Sequence, residues 1–326
     1  MINVGVIGVG NMGFHHARVY SGLAGANLVA CSDVEEGRLI PIRDKFKCNT
    51  YTDYREMLAA ENLDGVSIVV PTSMHREVAF EAMEKGISFL VEKPIASTVE
   101  DARSIYEMAS EKNIAFLIGH IERFNPAVMK LKEMIDSGEM GDIITIHAKR
   151  VGLYPPQIQD SNIIVDVSIH DIEILNFLLG APPDEIHVNA GTATGGKEDY
   201  VGILANYSGR SGIIQSNWIT PIKVRKLYVT ATKAYVELDY ISQEMRMFDN
   251  LAVKQALDFE SFQEVSSPRQ KSVVIKSQEP LKLELSHFLE VVSGESEPLV
   301  TPQDGIKALE IAIELSNRVG SGKGNA

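Results

Sequence analysis

A glycine-rich segment near the start of the chain has the spacing of a nucleotide-phosphate site. It reads Gly8-Val9-Gly10-Asn11-Met12-Gly13 and lies between an apolar run and a stretch of helical length. In such a pattern the first glycine permits a tight turn, the second lets the backbone approach a pyrophosphate, and the third lets a helix pack closely on a strand. The free amides and the dipole at the helix start favour an anion. We therefore predict that this segment binds a dinucleotide.

An acidic residue stands where a dinucleotide site needs one. Asp33 ends the second predicted strand, 20 residues after Gly13. A carboxylate at this place accepts hydrogen bonds from the adenosine ribose and repels a ribose 2′-phosphate. The sequence therefore favours NAD as the cofactor. NADP stays open as an alternative, because the basic residue Arg38 follows closely.

Three residues farther along have the chemistry that oxidation of a secondary alcohol requires. The reaction needs a base for the hydroxyl proton and a group that stabilises the developing alkoxide. His170 has an ordinary pKa of about 6.5, and Asp166 stands four residues before it, on the same face of a predicted helix. Lys93 follows a predicted strand, where its ammonium group can hydrogen-bond the alcohol oxygen. Each of them could instead be an ordinary solvated charge.

Together these motifs resemble the glucose–fructose oxidoreductase, inositol dehydrogenase and MocA (Gfo/Idh/MocA) family. The resemblance rests on the glycine fingerprint and on three further motifs, Glu92-Lys93-Pro94, Pro71-Thr72-Ser73-Met74-His75 and Asp166-Val167-Ser168-Ile169-His170, and it extends from Val4 to about Arg318. It implies that Lys93, Asp166 and His170 are catalytic, with the lysine beside the nicotinamide. Cofactor contacts are expected from Gly8, Gly10, Asn11, Met12, Gly13, Asp33, Pro71, Thr72, His75, Glu92 and Lys93. His75 could instead pack at the start of its helix.

The predicted substrate site begins where the N-terminal half ends. The expected substrate-binding residues are Arg123, Asn125, Tyr154, Asp166 and His170. The combination resembles a branch of the family that acts on nucleotide-linked amino sugars, of the UDP-N-acetylglucosamine 3-dehydrogenase type. A basic group near Trp218, formed by Lys223, Arg225 and Lys226, suits a diphosphate-bearing substrate, although a solvated strand end has the same pattern. Arg123 could instead form an internal salt bridge.

Three other functions remain open at this point. One is an inositol or aldose dehydrogenase. Another is an enzyme that uses NAD transiently for epimerisation or glycosidic cleavage. The third is a non-catalytic nucleotide sensor, which the presence of Lys93, Asp166 and His170 disfavours because binding alone would not require them.

Alternating strands and helices must position the cofactor residues. Predicted strands are Asn3–Gly8, Asn27–Ser32, Gly65–Val70, Ser88–Val91 and Ala115–Gly119. Predicted helices lie between them at Met12–Gly22, Asp53–Ala60, Ser73–Lys85 and Thr98–Lys112. Continuously apolar strands separated by helices indicate a parallel sheet that is covered on both faces. We therefore predict an α/β fold whose first domain, residues 1–120, is a doubly wound NAD-binding Rossmann domain.

The pattern changes after Gly119. Predicted helices are Asn125–Ser137, Val165–Leu179, Glu279–Val292 and Pro302–Val319. Predicted strands joined by short turns are Ile143–Val151, Glu185–Ala190, Tyr200–Asn206, Gly212–Trp218, Lys226–Thr232 and Ala234–Tyr240. They indicate an α+β domain, residues 121–326, built on a large open and mostly antiparallel sheet. This domain should bind substrate at a cleft with the first. Its second sheet face should form a subunit interface in a homodimer or homotetramer.

Composition excludes several functional classes. The chain has 326 residues and a formal net charge of −13, which disfavours nucleic-acid binding. Its apolar fraction is 44%, and it contains neither a long apolar stretch nor a secretory leader, so we expect no membrane partner. Cys31 and Cys48 have neither zinc-ligand spacing nor a Cys-x-x-Cys motif. We therefore expect a cytoplasmic protein without a metal site.

Overall fold

Six parallel strands form the sheet in the N-terminal part of the chain. They are β1 (Ile2–Ile7), β2 (Ala26–Ser32), β3 (Asn49–Tyr51), β4 (Gly65–Ile68), β5 (Ser88–Glu92) and β6 (Phe116–Gly119). Their order across the sheet is β3-β2-β1-β4-β5-β6, so the direction of winding reverses between β1 and β4. This is the doubly wound Rossmann topology, whose ligands bind outside the carboxyl ends of the strands at that reversal. The predicted fold of this part is confirmed.

Helices connect these strands and cover both faces of the sheet. They are α1 (Asn11–Gly22), α2 (Glu36–Phe46), α3 (Tyr54–Ala60), α4 (His75–Glu84) and α5 (Val99–Lys112). Three consecutive residues of β5, Phe89 to Val91, are fully buried, which requires cover on both sides. Helix α2 and strand β3 were not predicted. Pro41 lies inside α2 and argues against a helix locally, but burial of Leu39 and Ile42 outweighs that cost.

The second sheet has eight strands. They are β7 (Ile143–Leu153), β8 (Glu185–Gly191), β9 (Tyr200–Tyr207), β10 (Arg210–Asn217), β11 (Ile219–Ala231), β12 (Ala234–Asp239), β13 (Glu244–Asp249) and β14 (Gln270–Val273). Their order is β14-β13-β12-β11-β7-β10-β9-β8, and all neighbours are antiparallel except β7 and β10. The predicted mostly antiparallel sheet is therefore confirmed.

One face of the second sheet is packed and the other is open. Along β9, residues Val201, Ile203, Ala205 and Tyr207 are buried, whereas Leu204 between them is 52% exposed. Successive side chains of a strand point to opposite faces, so this alternation marks the inner face. Helices α6 (Pro126–Asp136) and α7 (Ile169–Leu179) belong to the same part of the chain.

The computed structural model describes residues 1–153, 162–249 and 269–322. The chain divides into one unit of Met1–Ile121 with Glu279–Glu310 and a second of Glu122–Gln278 with Ile311–Ala326. Helix α8 (Pro280–Val292) therefore belongs to the first unit, and the division falls within helix α9 (Pro302–Gly322). The functional domains 1–120 and 121–326 stay a prediction. Among the described residues, no helix is both long and apolar enough to span a membrane.

Candidate functional site

The glycine segment has the backbone geometry that a dinucleotide requires. Gly8 has a φ of 87°, and a Cβ atom there would lie 2.5 Å from the carbonyl oxygen of Val69. A Cβ atom on Gly13 would lie 1.9 Å from the carbonyl oxygen of Gly8. At Gly10, by contrast, an added Cβ atom meets no described atom within 4 Å. Gly8 and Gly13 are thus needed for packing, whereas the space beside Gly10 is open to a ligand.

The start of helix α1 suits an anion. Asn11 and Met12 open the helix, Gly10 is its N-cap, and no side chain in the described parts of the chain caps the first amides. Its first turn contains no acidic residue. Unpaired amides and the positive end of the helix dipole therefore face the open side of Gly10. The residues present fit the pyrophosphate of a dinucleotide.

Asp33 connects the end of β2 to the glycine segment. Its side chain is almost fully buried, and Oδ2 accepts a hydrogen bond from the Val9 amide at 2.9 Å. Oδ1 accepts one from the Glu35 amide at 3.0 Å and lies 3.6 Å from Nη1 of Arg38. The acidic residue expected to bind the ribose therefore also holds the loop, and a cationic side chain stands beside it.

His75 joins two loops at the carboxyl ends of the strands. Pro71 and Thr72 follow β4 and begin a short 3₁₀ turn that leads to His75. The imidazole is 1% exposed, and its nitrogens lie 3.0 Å from the carbonyl oxygen of Pro94 and 2.9 Å from that of Val70. Burial lowers the pKa of His75, although both carbonyl groups oppose this effect. The geometry supports the packing interpretation, and a cofactor contact by His75 stays a prediction.

Glu92 has a buried partner that the sequence did not indicate. Its Oε1 lies 3.1 Å from Nε2 of His16, a fully buried residue of α1, and its Oε2 accepts a hydrogen bond from the Lys93 amide at 3.2 Å. A Cβ atom on Gly119 would lie 3.0 Å from this carboxylate, so a larger residue there would press on it. Glu92 thus anchors the backbone at Lys93. The 76-residue separation from His16 left no local signal of the pair.

Asp166 and His170 lie in an irregular helix. Residues Ile164–Ser168 form a π-helical turn that contains Asp166, and α7 follows directly with His170 in its first turn. The predicted helix at Val165–Leu179 is confirmed except for this turn. π-helical turns are rare and occur frequently at functional sites. Both side chains are partly exposed, as groups that contact a substrate must be.

The other predicted substrate residues are engaged in the interior of the second unit. Arg123 is 4% exposed and forms an ion pair with the buried Glu173, which is the alternative that the sequence left open. Asn125 caps α6 by accepting a hydrogen bond from the Ala127 amide at 3.1 Å, and its amide group donates to the carbonyl oxygen of Tyr240. Substrate contacts by both residues stay predictions. Tyr154 lies outside the described residues.

A buried arginine organises the centre of the second unit. Arg150 donates two hydrogen bonds of 2.9 Å to the carboxylate of Asp171 and a third, of 2.8 Å, to Glu122. All three residues are less than a tenth exposed. Burial opposes the charge on Arg150, but the two carboxylates outweigh it and raise the pKa well above the ordinary value.

The predicted basic group is divided between two faces of the sheet. Arg225 stands directly opposite Arg150 in the β7–β11 register, and its Nη1 lies 3.7 Å from Oε1 of Glu122. Lys226 is the next residue along the strand, points to the other face, and lies 3.9 Å from Asp239. Only Lys223 and Arg225 therefore belong to one group.

This pair carries incompletely compensated positive charge. The charge of Arg225 lowers the pKa of Lys223, with smaller contributions from burial and Arg150. Burial and then Arg150 lower the pKa of Arg225, and the nearby carboxylates of Glu122, Asp171 and Asp166 only partly offset this. Within the described parts of the chain Lys223 has no ion-pair partner. Such a pair can bind an anion.

Comparison with known proteins gives matches along most of the chain. The model described as "Oxidoreductase family, NAD-binding Rossmann fold" matches residues 2–120, and the model of the GFO/IDH/MocA C-terminal domain matches residues 128–237. UDP-N-acetylglucosamine 3-dehydrogenase of Acidithiobacillus ferrooxidans is 25% identical over 315 residues, which cover 96% of each chain. scyllo-Inositol 2-dehydrogenase (NAD(+)) of Bacillus subtilis is 27% identical over 334 residues, covering 98% of this chain and 95% of the relative.

Solved structures show the same architecture. The structure of the A. ferrooxidans enzyme superposes with a TM-score of 0.86 and covers 98% of both chains at 25% identity. That of myo-inositol 2-dehydrogenase from Lactobacillus plantarum has a TM-score of 0.81 at 21% identity and also covers 98% of both chains. The second similarity concerns the fold alone. Both arrangements of strands described above are thus known among dehydrogenases.

Proposed function

Because the chain belongs to the Gfo/Idh/MocA family of oxidoreductases, we propose that it transfers hydride between a secondary hydroxyl group of a nucleotide-linked sugar and NAD. Its relatives are dehydrogenases that act on sugar or polyol hydroxyl groups, and the chain is an enzyme of this kind. The choice of a nucleotide-linked sugar rests on one observation. Lys223 and Arg225 carry incompletely compensated positive charge in the unit that contains Asp166 and His170.

The first unit would hold the cofactor. The α1 amides beside Gly10 would bind the pyrophosphate, and Asp33 would accept hydrogen bonds from the adenosine ribose. NAD supplies the acceptor for the hydride when it is bound. NAD is favoured over NADP because the Asp33 carboxylate repels a 2′-phosphate, although Arg38 lies 3.6 Å from it. Pro71, Thr72, His75 and Glu92 complete the proposed cofactor set.

Proton transfer is assigned to three residues. His170 would take the hydroxyl proton, and Asp166 would orient the imidazole or hold a neighbouring substrate hydroxyl. The Lys93 ammonium group would donate a hydrogen bond to the oxygen as it becomes an alkoxide. Glu92 supports this arrangement because it fixes the Lys93 backbone through the 3.2 Å hydrogen bond.

The catalytic assignment is tested with Lys93→Met. This variant should bind NAD as the wild type does but lose hydride transfer by at least a hundredfold, the scale of a lost group that stabilises developing charge. Cofactor binding is followed by calorimetry and turnover by the absorbance of the reduced nicotinamide. Undiminished turnover in Lys93→Met would exclude the proposed role.

The substrate class is tested with a panel. UDP-N-acetylglucosamine, free N-acetylglucosamine, glucose and myo-inositol are each incubated with the protein and NAD. We expect UDP-N-acetylglucosamine to react fastest and Lys223→Ala to raise its KM about tenfold, as loss of a charged hydrogen bond would. Lys226→Ala is the matched control because that side chain lies on the other face. Reaction of unlinked sugars alone would contradict the proposal.

A neutral polyol is the second candidate substrate. The observation that favours it is the 27% identity with scyllo-inositol 2-dehydrogenase, which slightly exceeds the identity with the nucleotide-sugar enzyme. Turnover of myo-inositol that is insensitive to Lys223→Ala would identify this activity. Net epimerisation or cleavage with NAD unchanged would instead indicate transient use of the cofactor.

We also propose that the open face of the eight-stranded sheet joins copies of the chain into a homodimer or homotetramer. Leu204 is 52% exposed on this face, and the half-buried rings of His147 and Tyr228 lie 5.8 Å apart on it. An exposed apolar sheet face supports self-association. Light scattering of Leu204→Glu should give a smaller particle than the wild type, and an unchanged mass would contradict this interface.

A further inference from the structure

Helix α8 carries a carboxyl group in an unusual environment. Glu284 is 0% exposed, and neither of its oxygens has a hydrogen-bond partner among the described residues of the chain. Its helical neighbours Leu281, Leu285 and Phe288 are buried apolar residues that attach α8 to the first unit. Buried polar groups are normally hydrogen-bonded, and a buried charge is normally paired. Glu284 therefore needs an explanation that packing does not supply.

The groups that face Glu284 come from two other elements. Strand β5 contributes Glu92, whose charge acts on Glu284. Helix α1 contributes Tyr20, whose hydroxyl group forms a 2.9 Å hydrogen bond with that of Ser67. His16 of the same helix lies 3.1 Å from Glu92, but no described cation is paired with Glu284.

A carboxyl group in an apolar environment does not ionise easily. Burial raises the pKa of Glu284 well above its ordinary value, and the charge of Glu92 adds to this effect. Glu284, which is fully buried and has no hydrogen-bond partner among the described residues, therefore holds a proton at neutral pH.

The charge that acts on Glu284 lies at the edge of the sheet where a cofactor is expected to bind. Glu92 ends β5 and accepts the hydrogen bond of the Lys93 amide, so it stands at the edge of the sheet where a doubly wound fold binds its ligands. Oxidised nicotinamide carries a positive charge, which reduction by hydride removes. A positive charge near this edge opposes the effect of the Glu92 charge and favours the ionised form of Glu284, and a neutral ring does not.

We propose that Glu284 binds one exchangeable proton and releases part of it to solvent when oxidised nicotinamide binds, but not when reduced nicotinamide binds. The inference rests on the proposed function, since it requires a nicotinamide cofactor at this edge. No bond other than the O–H bond of the carboxyl group breaks, and the proton passes to the buffer. Glu284 is therefore a positioning residue: it acts through the charge near the cofactor and is assigned no contact with the transferred hydride or the substrate.

The proton itself can be observed in the free protein. Infrared spectra at neutral pH should show the carbonyl stretch of a protonated carboxylic acid in the wild type and lack it in Glu284→Gln. Glu290→Gln is the matched control, because Glu290 lies on the same helix with its side chain 50% exposed. This control should retain the band. Equal spectra for the wild type and Glu284→Gln would overturn the proposal.

The coupling is measured by titration calorimetry in two buffers of different ionisation enthalpy. Binding of NAD should release more protons than binding of NADH, by a fraction of a proton to one proton. Glu284→Gln should abolish this difference, and Glu290→Gln should retain it. Glu284→Met removes the unpaired oxygens and should therefore raise the Tm. It should also abolish the difference in proton release between NAD and NADH, so the test does not depend on a destabilised variant.

Two failures can be told apart. If both cofactors bind and the difference in proton release between NAD and NADH is the same in the wild type and in Glu284→Gln, only the coupling is overturned. Absence of binding by either cofactor would overturn the proposed function together with the coupling.

Discussion

The carboxylate of Asp33 holds the amide of Val9 at 2.9 Å, between the end of β2 and the glycine segment. The same carboxylate accepts the Glu35 amide and lies beside Arg38. The residue that we propose to determine cofactor choice therefore also fixes the loop that we propose to bind the pyrophosphate. Substitutions here must be chosen to change one property and keep the other.

Asp33→Asn should shift cofactor preference toward NADP. The amide oxygen of asparagine can still accept the Val9 hydrogen bond, while loss of the negative charge removes repulsion of a 2′-phosphate and leaves Arg38 available to it. We expect the NADP to NAD ratio of kcat/KM to rise at least tenfold. Adding Arg38→Ala should reverse this gain. An unchanged ratio in Asp33→Asn would show that the carboxylate does not select the cofactor.

Gly10→Ala and Gly13→Ala should have different effects. A Cβ atom on Gly10 meets no described atom, so the free protein should keep its stability within about 1 kcal/mol while NAD affinity falls more than tenfold. A Cβ atom on Gly13 would overlap the Gly8 carbonyl oxygen, so this variant should also unfold at a lower temperature. Thermal unfolding without cofactor, followed by calorimetry with NAD, separates the two effects. Normal NAD binding by Gly10→Ala would contradict the predicted site.

Arg150→Met should destabilise the second unit strongly. It leaves the buried carboxylate of Asp171 without the two hydrogen bonds that now compensate it. Loss of one partner of a buried ion pair typically costs about 3–5 kcal/mol. Lys226→Met, at a partly exposed pair, should cost less than about 1 kcal/mol. Denaturant unfolding compares the two variants, and equal costs would mean that the Arg150 network contributes little.

Asp199→Asn should lower stability in a pH-dependent way. Burial alone would raise the pKa of Asp199, but hydrogen bonds from the Ala193 and Thr194 amides and from threonine hydroxyl groups outweigh it and lower the pKa. A carboxylate with a lowered folded pKa stabilises the protein above its unfolded pKa of about 3.9, and this contribution is lost as the pH falls through the folded value.

The measurement for Asp199 is unfolding at several pH values. The wild type should exceed Asp199→Asn by about 1–3 kcal/mol near neutral pH, and the difference should shrink below about pH 4. Glu185→Gln, at a side chain that is 65% exposed, should show no such trend. A difference that does not depend on pH would rule out an ionised Asp199 as the cause.

Local patterns were sufficient for five of the six strands of the first sheet and for the glycine segment. The roles expected of Gly8, Gly10 and Gly13 correspond to three distinct backbone environments, because short-range steric requirements determine each of them. The alternation from Val201 to Tyr207 likewise identified the packed face of β9. Such features depend on neighbouring residues in the chain, which a sequence displays directly.

Pairings between distant residues could not be predicted. The partner of Arg123 lies 50 residues away and that of Glu92 lies 76 residues away. Strands β13 and β14 were also missed, although Met245 and Met247 alternate with polar residues in β13. Whether a charged residue contacts a substrate or a buried partner depends on the assembled fold. The sequence therefore indicated candidate residues, while the internal partners of Arg123 and Asn125 emerged only from the structure.

Because helix α8 belongs to the first unit, that unit cannot finish folding until this late segment of the chain has been synthesised. Phe288 lies against Gly65, where an added Cβ atom would approach its ring to 3.0 Å. Residue 292, the end of this helix, is translated about 170 residues after Ile121, which at roughly 5–20 residues per second takes about 10–30 s. During this time the nascent N-terminal sheet exposes an apolar surface at the ribosome. The unit that begins to fold first therefore lacks part of its core until residues 122–278 of the second unit have been synthesised.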